Sequence, residues 1–152
     1  MKTTLCILVL FSLIHASVWS QTTDKQKALK TGSSAPDFLI NDIRGNTYKL
    51  SDLQGKIVVL NFWFTQCAPC IEELPELNAL IEKYKDEPTV VFLSITYDPK
   101  YKVEKFLIKH PFRYPVAAGQ KALDDQYGIA GYPTNMVPVS YTHLTLPTIL
   151  RV

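Results

Sequence analysis

Cysteine is scarce in this chain, at three in 152 residues, and histidine is equally so. Neither sign of charge is in excess. The 16 Lys and Arg stand against 14 Asp and Glu, which gives no electrostatic reason to expect nucleic acid or an acidic partner. No apolar stretch is long enough to span a bilayer comfortably, and the chain carries no internal repeat and no low-complexity segment. What remains, 47% apolar and 20% charged residues, is ordinary for a soluble globular protein. The length suits one domain with a genuine hydrophobic core.

The N-terminus departs from this even composition. Lys2 is the only formal charge before Asp24, and residues 5–14 are apolar but for Ser12. A basic start, a short apolar core and the small residues Ala16, Ser17 and Ser20 before Gln21 describe a secretory signal peptide over 1–20. An uncleaved membrane anchor is the alternative, disfavoured by the shortness of the run. A lipid-modified start does not suit Cys6, which precedes most of the apolar run. The mature chain is then exported and starts near Gln21, with a flexible, Lys-rich lead over 21–34.

From residue 35 onward the pattern is regular. Phe38, Ile40 and Ile43, then Tyr48 and Leu50, flank Arg44, Gly45 and Asn46 as the arms of a hairpin. Residues 51–55 read as one turn of helix closed by Gly55. Residues 57–64 form a nearly continuous apolar run, as in a strand buried on both faces. The period then changes: Ile71, Leu74, Leu77, Ile81 and Tyr84 predict a helix over 68–85, with a kink at Pro75. A second buried strand is predicted over 90–95. A helix follows with Asp98 as its cap, Pro99 in its first turn, and Val103, Phe106 and Leu107 as its buried stripe. A short strand over 114–117, a short helix over 122–127 stopped by Gly128, and a loop containing Gly131, Tyr132, Pro133 and Thr134 complete the order. Alternating strands and helices indicate an α/β fold with helices on both faces of the sheet.

Once the signal is removed, only Cys67 and Cys70 remain. Closing so short a loop restrains the unfolded chain very little, so a purely structural disulfide is a poor reading. A zinc site needs further Cys or His ligands at suitable spacing, and His110 and His143 are isolated. Redox chemistry is left, and the pair is placed for it. A thiolate is the attacking species, and a helix N-terminus supplies unpaired amides and partial positive charge that favour the anion. Cys67, at the strand–helix junction, is the candidate nucleophile. Cys70, one turn into the helix, is the resolving thiol that releases a reduced partner. Pro69 fits the first turn, where amides need no intrahelical acceptor.

The segment Asn61-Phe62-Trp63-Phe64-Thr65-Gln66-Cys67-Ala68-Pro69-Cys70, followed by Glu73 and Pro75, resembles the active-site region of the TlpA-like thiol–disulfide oxidoreductases of the thioredoxin superfamily. Ala35-Pro36-Asp37-Phe38 and Gly131-Tyr132-Pro133-Thr134 match the same family in order and spacing. The resemblance implies a thioredoxin-like domain over 35–138, with a central mixed sheet, helices on both faces and an N-terminal β-hairpin. It implies a cis peptide at Pro133, with Tyr132, Pro133 and Thr134 holding a partner's extended backbone, and Pro69 and Pro75 as structural residues near the site. It implies proton handling for Cys70 by Glu73, against the alternative that Glu72, Glu73 and Glu76 are solvated acids near a helix start. Trp63 is either a partner contact or core. Asn61 stands where cytoplasmic thioredoxins carry a buried Asp, and Gln66 replaces the Trp that often precedes the first cysteine. The partners implied are disulfide-bearing exported proteins, apocytochromes among them, and a membrane-borne dithiol donor in the periplasm or an equivalent space. No cofactor or metal is called for.

The fold needs two further strands and a helix after the cis-proline, and residues 139–152 supply neither helical period nor Gly turn. They read as a non-native tail, with the C-terminal strands and helix missing, and Pro138 conflicts with a central strand over 135–139. Two other functions compete with disulfide exchange. A peroxiredoxin-type peroxidase would carry Thr three residues before its cysteine, whereas Thr65 is two before Cys67. A redox-inert binding module would present the Gly131–Pro133 surface and keep its binding when both cysteines are replaced by Ser.

Overall fold

A computed structural model of the protein describes Leu29, residues 34–139 and residues 143–145. The predicted signal peptide, most of the predicted lead, and residues 140–142 and 146–152 lie outside this range. The elements in chain order are β1 (Leu39–Asn41), β2 (Thr47–Lys49), a 3-10 turn (Leu50–Leu53), β3 (Ile57–Trp63), α1 (Ala68–Lys83), β4 (Val90–Thr96), α2 (Lys100–Lys109), β5 (Val116–Ala117), α3 (Lys121–Gln126), β6 (Thr134–Val139) and β7 (His143–Thr145).

The apolar run of β3 is the centre of the molecule. Successive side chains on a strand alternate faces, so Val58, Leu60 and Phe62 enter one core with Phe38, Ile40, Leu123 and Tyr127. Trp63 enters the other, with Cys67, Cys70, Leu74, Leu77 and Val103. The hairpin and α3 therefore cover one face of the sheet, and α1 and α2 cover the other. The sheet has the order β5-β4-β3-β6-β7. It is mixed: β3, β4 and β5 run parallel, while β6 is antiparallel to β3 and β7. This is the thioredoxin-like layering that the resemblance implies.

The hairpin turn is held by Asp42, whose Oδ1 accepts from the amides of Arg44 and Asn46 at 2.9 and 2.8 Å. Gly45, at φ 93°, takes the left-handed conformation inside it. Helix α1 runs without interruption through exposed Pro75 and ends at Lys83, where the amide of Tyr84 bonds Leu80 O. That is two residues before the predicted end at Lys85.

Two details at the C-terminal end differ from the sequence reading: β6 runs through Pro138 to Val139, and a short strand, β7, pairs with it. Pro138 causes no conflict because the pairing of β6 with β3 ends at Leu60↔Met136. Past that point Pro138 faces Leu144 of β7 instead.

Leu60 is fully buried, at 0% exposure, in the middle of β3. Replacing it with Ala removes apolar contact and leaves a cavity, so Leu60→Ala should lower unfolding stability by about 3 kcal/mol. Equilibrium urea denaturation, read as a fall in midpoint at unchanged slope, checks this.

Candidate functional site

The passage from β3 to α1 brings the two cysteines to a helix N-terminus. Cys67 is the N-cap of α1, with extended backbone at φ −84° and ψ 102°. Its Sγ accepts from the amide of Cys70 at 3.3 Å. An amide directed at sulfur, on a helix whose dipole is positive at that end, is the arrangement that stabilises a thiolate. The two sulfurs are joined as a disulfide, with Cα atoms 5.2 Å apart, so this is the oxidised form. Cys67 and Cys70 are 4% and 2% exposed. Gln66, Ala68 and Pro69 beside them are exposed.

A residue that sequence reasoning misplaced fixes this junction. Asp98, read as the cap of α2, does not cap it; Pro99 is the N-cap and no side chain bonds there. Its carboxylate turns instead to Thr65, accepting from the Thr65 amide at 2.7 Å and hydroxyl at 2.8 Å. Lys102 Nζ lies 2.7 Å from the other oxygen and 3.5 Å from Gln66 Oε1. Asp98 is 3% exposed. Burial alone would raise its pKa, but the bonds from Lys102 and Thr65 outweigh that and hold the carboxyl below its ordinary range. The Thr65 hydroxyl is thereby committed to Asp98.

Glu73 lies one helical turn beyond Cys70 on α1, and residues three apart share a helix face. It is half-buried, unlike exposed Glu72 and Glu76. Burial pushes its carboxyl up. A bond from Asn135 Nδ2 to Oε1, at 2.6 Å, opposes this, and the charge of Glu76 adds to the rise. Its Oε2 is buried without a hydrogen-bond partner among the described residues. Asn135 was missed from sequence, although an amide in an otherwise apolar strand was the available signal.

Trp63 is 1% exposed and packs against Phe106 and Phe112, with ring centroids at 5.1 and 5.9 Å. Of the two places the sequence left open for it, Trp63 lies in the core beneath the site. Tyr132, Pro133 and Thr134 are half-buried, and the Tyr132–Pro133 bond is cis. Tyr132 packs against the cluster that holds the cysteines. Its hydroxyl donates to buried Asp124 at 2.6 Å, and that of Thr134 to Gly131 O at 2.7 Å. Phe64, Tyr97 and Tyr132 form a triangle of rings, with centroids 5.2 to 5.7 Å apart. Pro69 occupies the first turn of α1 and Pro75 its exposed side. Among the described residues, no group of three or more His, Cys, Asp or Glu could hold a metal ion. No described helix is long and apolar enough to cross a membrane.

Asp98→Asn should cost about 2 kcal/mol at neutral pH by removing a buried, charge-assisted network. The sign with pH follows from the lowered carboxyl. Its stabilisation is complete above the unfolded value of about 3.9 and is lost as pH falls through the lower folded value. Melting curves of the wild-type protein and the variant between pH 7 and pH 3 should therefore converge at the acid end.

The AhpC/TSA family matches residues 31–149. The thiol-disulfide oxidoreductase ResA of Geobacillus kaustophilus is 33% identical over 135 residues, covering 88% of this chain and 78% of the relative. The thioredoxin-like protein YneN of Bacillus subtilis is 31% identical over 142 residues, with 90% and 84% covered. Among solved structures, one from Chlorobium tepidum described as a thiol:disulfide interchange protein DsbE superposes at a TM-score of 0.70 with 30% identity, covering 78% of this chain and 84% of that one. Another, from Bacteroides thetaiotaomicron and described as a protein disulfide isomerase, reaches 0.70 at 27% identity, covering 78% and 77%. Cys67, the cap of α1, and Cys70 within its first turn thus stand in a chain that belongs to the AhpC/TSA family of the thioredoxin superfamily, in keeping with the TlpA-like resemblance, and that acts as a protein thiol–disulfide oxidoreductase.

Proposed function

We propose that the protein is an exported reductant of disulfides in other exported proteins. The observation that carries this reading is the Cys67–Cys70 disulfide at the N-terminus of α1, with the Cys70 amide directed at Cys67 Sγ. The N-terminal signal pattern supports export to the periplasm or an equivalent compartment.

In the working cycle the reduced form reacts. The Cys67 thiolate attacks one sulfur of a partner disulfide and expels the other as a thiolate, leaving a mixed disulfide. Cys70 gives its proton to the Glu73 carboxylate and attacks Cys67 Sγ. The partner leaves as a dithiol, having gained two electrons from the Cys67–Cys70 pair and taken up protons from Glu73 and solvent, and the pair is left oxidised as the disulfide. Tyr132, Pro133 and Thr134 hold the partner backbone beside the sulfur. A dithiol donor at the membrane then restores the pair, since an oxidising compartment does not. Apocytochromes, whose cysteines must be reduced before haem attachment, fit as partners.

Titration against glutathione of the chain from Gln21 onward should give a potential near or below about −270 mV, the range of a dedicated reductant. A value approaching about −120 mV, that of a strong periplasmic oxidant, would reverse the direction. Cys70→Ser should accumulate mixed disulfides with clients, whereas Cys67→Ser should form none. Hydrogen peroxide consumption without a dithiol partner would favour a peroxidase instead.

A further inference from the structure

A single polar row crosses the centre of the sheet. Ser94 of β4 is paired in register with Asn61 of β3, and Asn61 in turn with Asn135 of β6. Ser94 and Asn61 are buried within otherwise apolar strands. Their side chains are joined end to end. The Ser94 hydroxyl donates to Asn61 Oδ1 at 3.4 Å, Asn61 Nδ2 donates to Asn135 Oδ1 at 2.9 Å, and Asn135 Nδ2 donates to Glu73 Oε1 at 2.6 Å. The row ends on the carboxyl that lies one turn from Cys70.

The direction of this chain is set by its last member. A carboxylate only accepts, so Asn135 must present its NH2 to Glu73. That leaves the Asn135 carbonyl to Asn61, which must then present its own NH2 and leave its carbonyl to the Ser94 hydroxyl. To turn its carbonyl to Glu73, Asn135 would have to break its bond from Asn61 or flip both amides inside the sheet. Oε1 is thereby held as an acceptor. Oε2, buried and without a partner among the described residues, is the oxygen left to take a proton.

We propose that Asn135 is a positioning residue for the thiol chemistry, pinning Glu73 Oε1 from the sheet so that the proton received from Cys70 is carried on Oε2. This rests on the reading of Glu73 as the proton acceptor for Cys70. Without the amide, the carboxyl has neither a fixed oxygen nor the bond that favours its charged form. The other ionisable groups coupled to Glu73 are Glu76 on its own helix and Tyr114 ahead of β5, whose buried hydroxyl is raised by burial and by the Glu73 charge. Neither donates a hydrogen bond to Oε1 among the described residues, so the Asn135 amide is not duplicated by them.

The test is the pH profile of Cys70 alkylation by iodoacetamide in a Cys67→Ser background. The coupled pair Glu73 and Cys70 should give two steps, and Glu73→Gln should reduce them to one. Asn135→Ala should move the acidic step upward and slow resolution of a mixed disulfide roughly tenfold at pH 7 in the two-cysteine protein. Adding Asn135→Ala to Glu73→Gln should change nothing further. If Glu73→Gln leaves the profile unaltered, the Glu73 reading fails, and this proposal fails with it. If Glu73→Gln alters the profile and Asn135→Ala does not, only the positioning role is overturned. An Asn135→Ala effect that persists in the Glu73→Gln background marks a merely structural role and also overturns it. Should Asn135→Ala not fold, Asn135→Thr, a better strand former that likewise lacks the amide, is read by the same outcomes.

Discussion

The Asp98 carboxylate accepts both the amide and the hydroxyl of Thr65, and this double attachment decides where β3 stops and α1 begins. A buried charge is costly unless it is paired and hydrogen-bonded, and Asp98 is both. Two residues after that anchor, the chain caps a helix with a cysteine. Were the junction free to shift by a residue, the sulfur would leave the helix terminus and lose the amide directed at it. The reactivity of the pair is therefore inherited from a contact to the loop that joins β4 to α2, and to Lys102 of α2 behind it.

The second organising feature is the conflict between burial and chemistry around Glu73. The core that holds Trp63, Leu74 and Leu77 is apolar, and a carboxyl set into its margin is pushed toward its neutral form. For a raised acid the linkage has the opposite sign to that at Asp98: the folded protein loses stability as pH rises from the unfolded carboxyl range through the folded value. The two acids thus have different characters. Asp98 is held charged and fixes geometry, while burial favours the neutral form of Glu73.

Much of this was legible from the sequence. The unbroken apolar run of β3, the switch to helical period after Cys67, and the Gly128 stop, at φ 63°, are local signals that survive into the fold. What escaped depends on contacts between distant parts of the chain. Thr65 and Asp98 are 33 residues apart, Asn135 and Glu73 62. These meet only through the strand order β4-β3-β6. Trp63 was ambiguous because alternation assigns a residue to a face without saying whether that face is covered; Phe106 and Phe112 cover it. Pro138 looked forbidden only under the assumption that β6 pairs with β3 along its whole length.

Phe64, Tyr97 and Tyr132 come from three separate places: the end of β3, the end of β4, and the loop that leads into β6. Their rings lean on one another at the same corner of the molecule, and Asp124 ties Tyr132 down from α3. The loops around the cysteines are in this way joined into one body. The entropy of ordering them is lost when the protein folds, so little of it remains to be lost when a client arrives. A surface ordered in advance in this way keeps more of the energy of each contact for the docking of a client, so a small area of contact suffices to seat one.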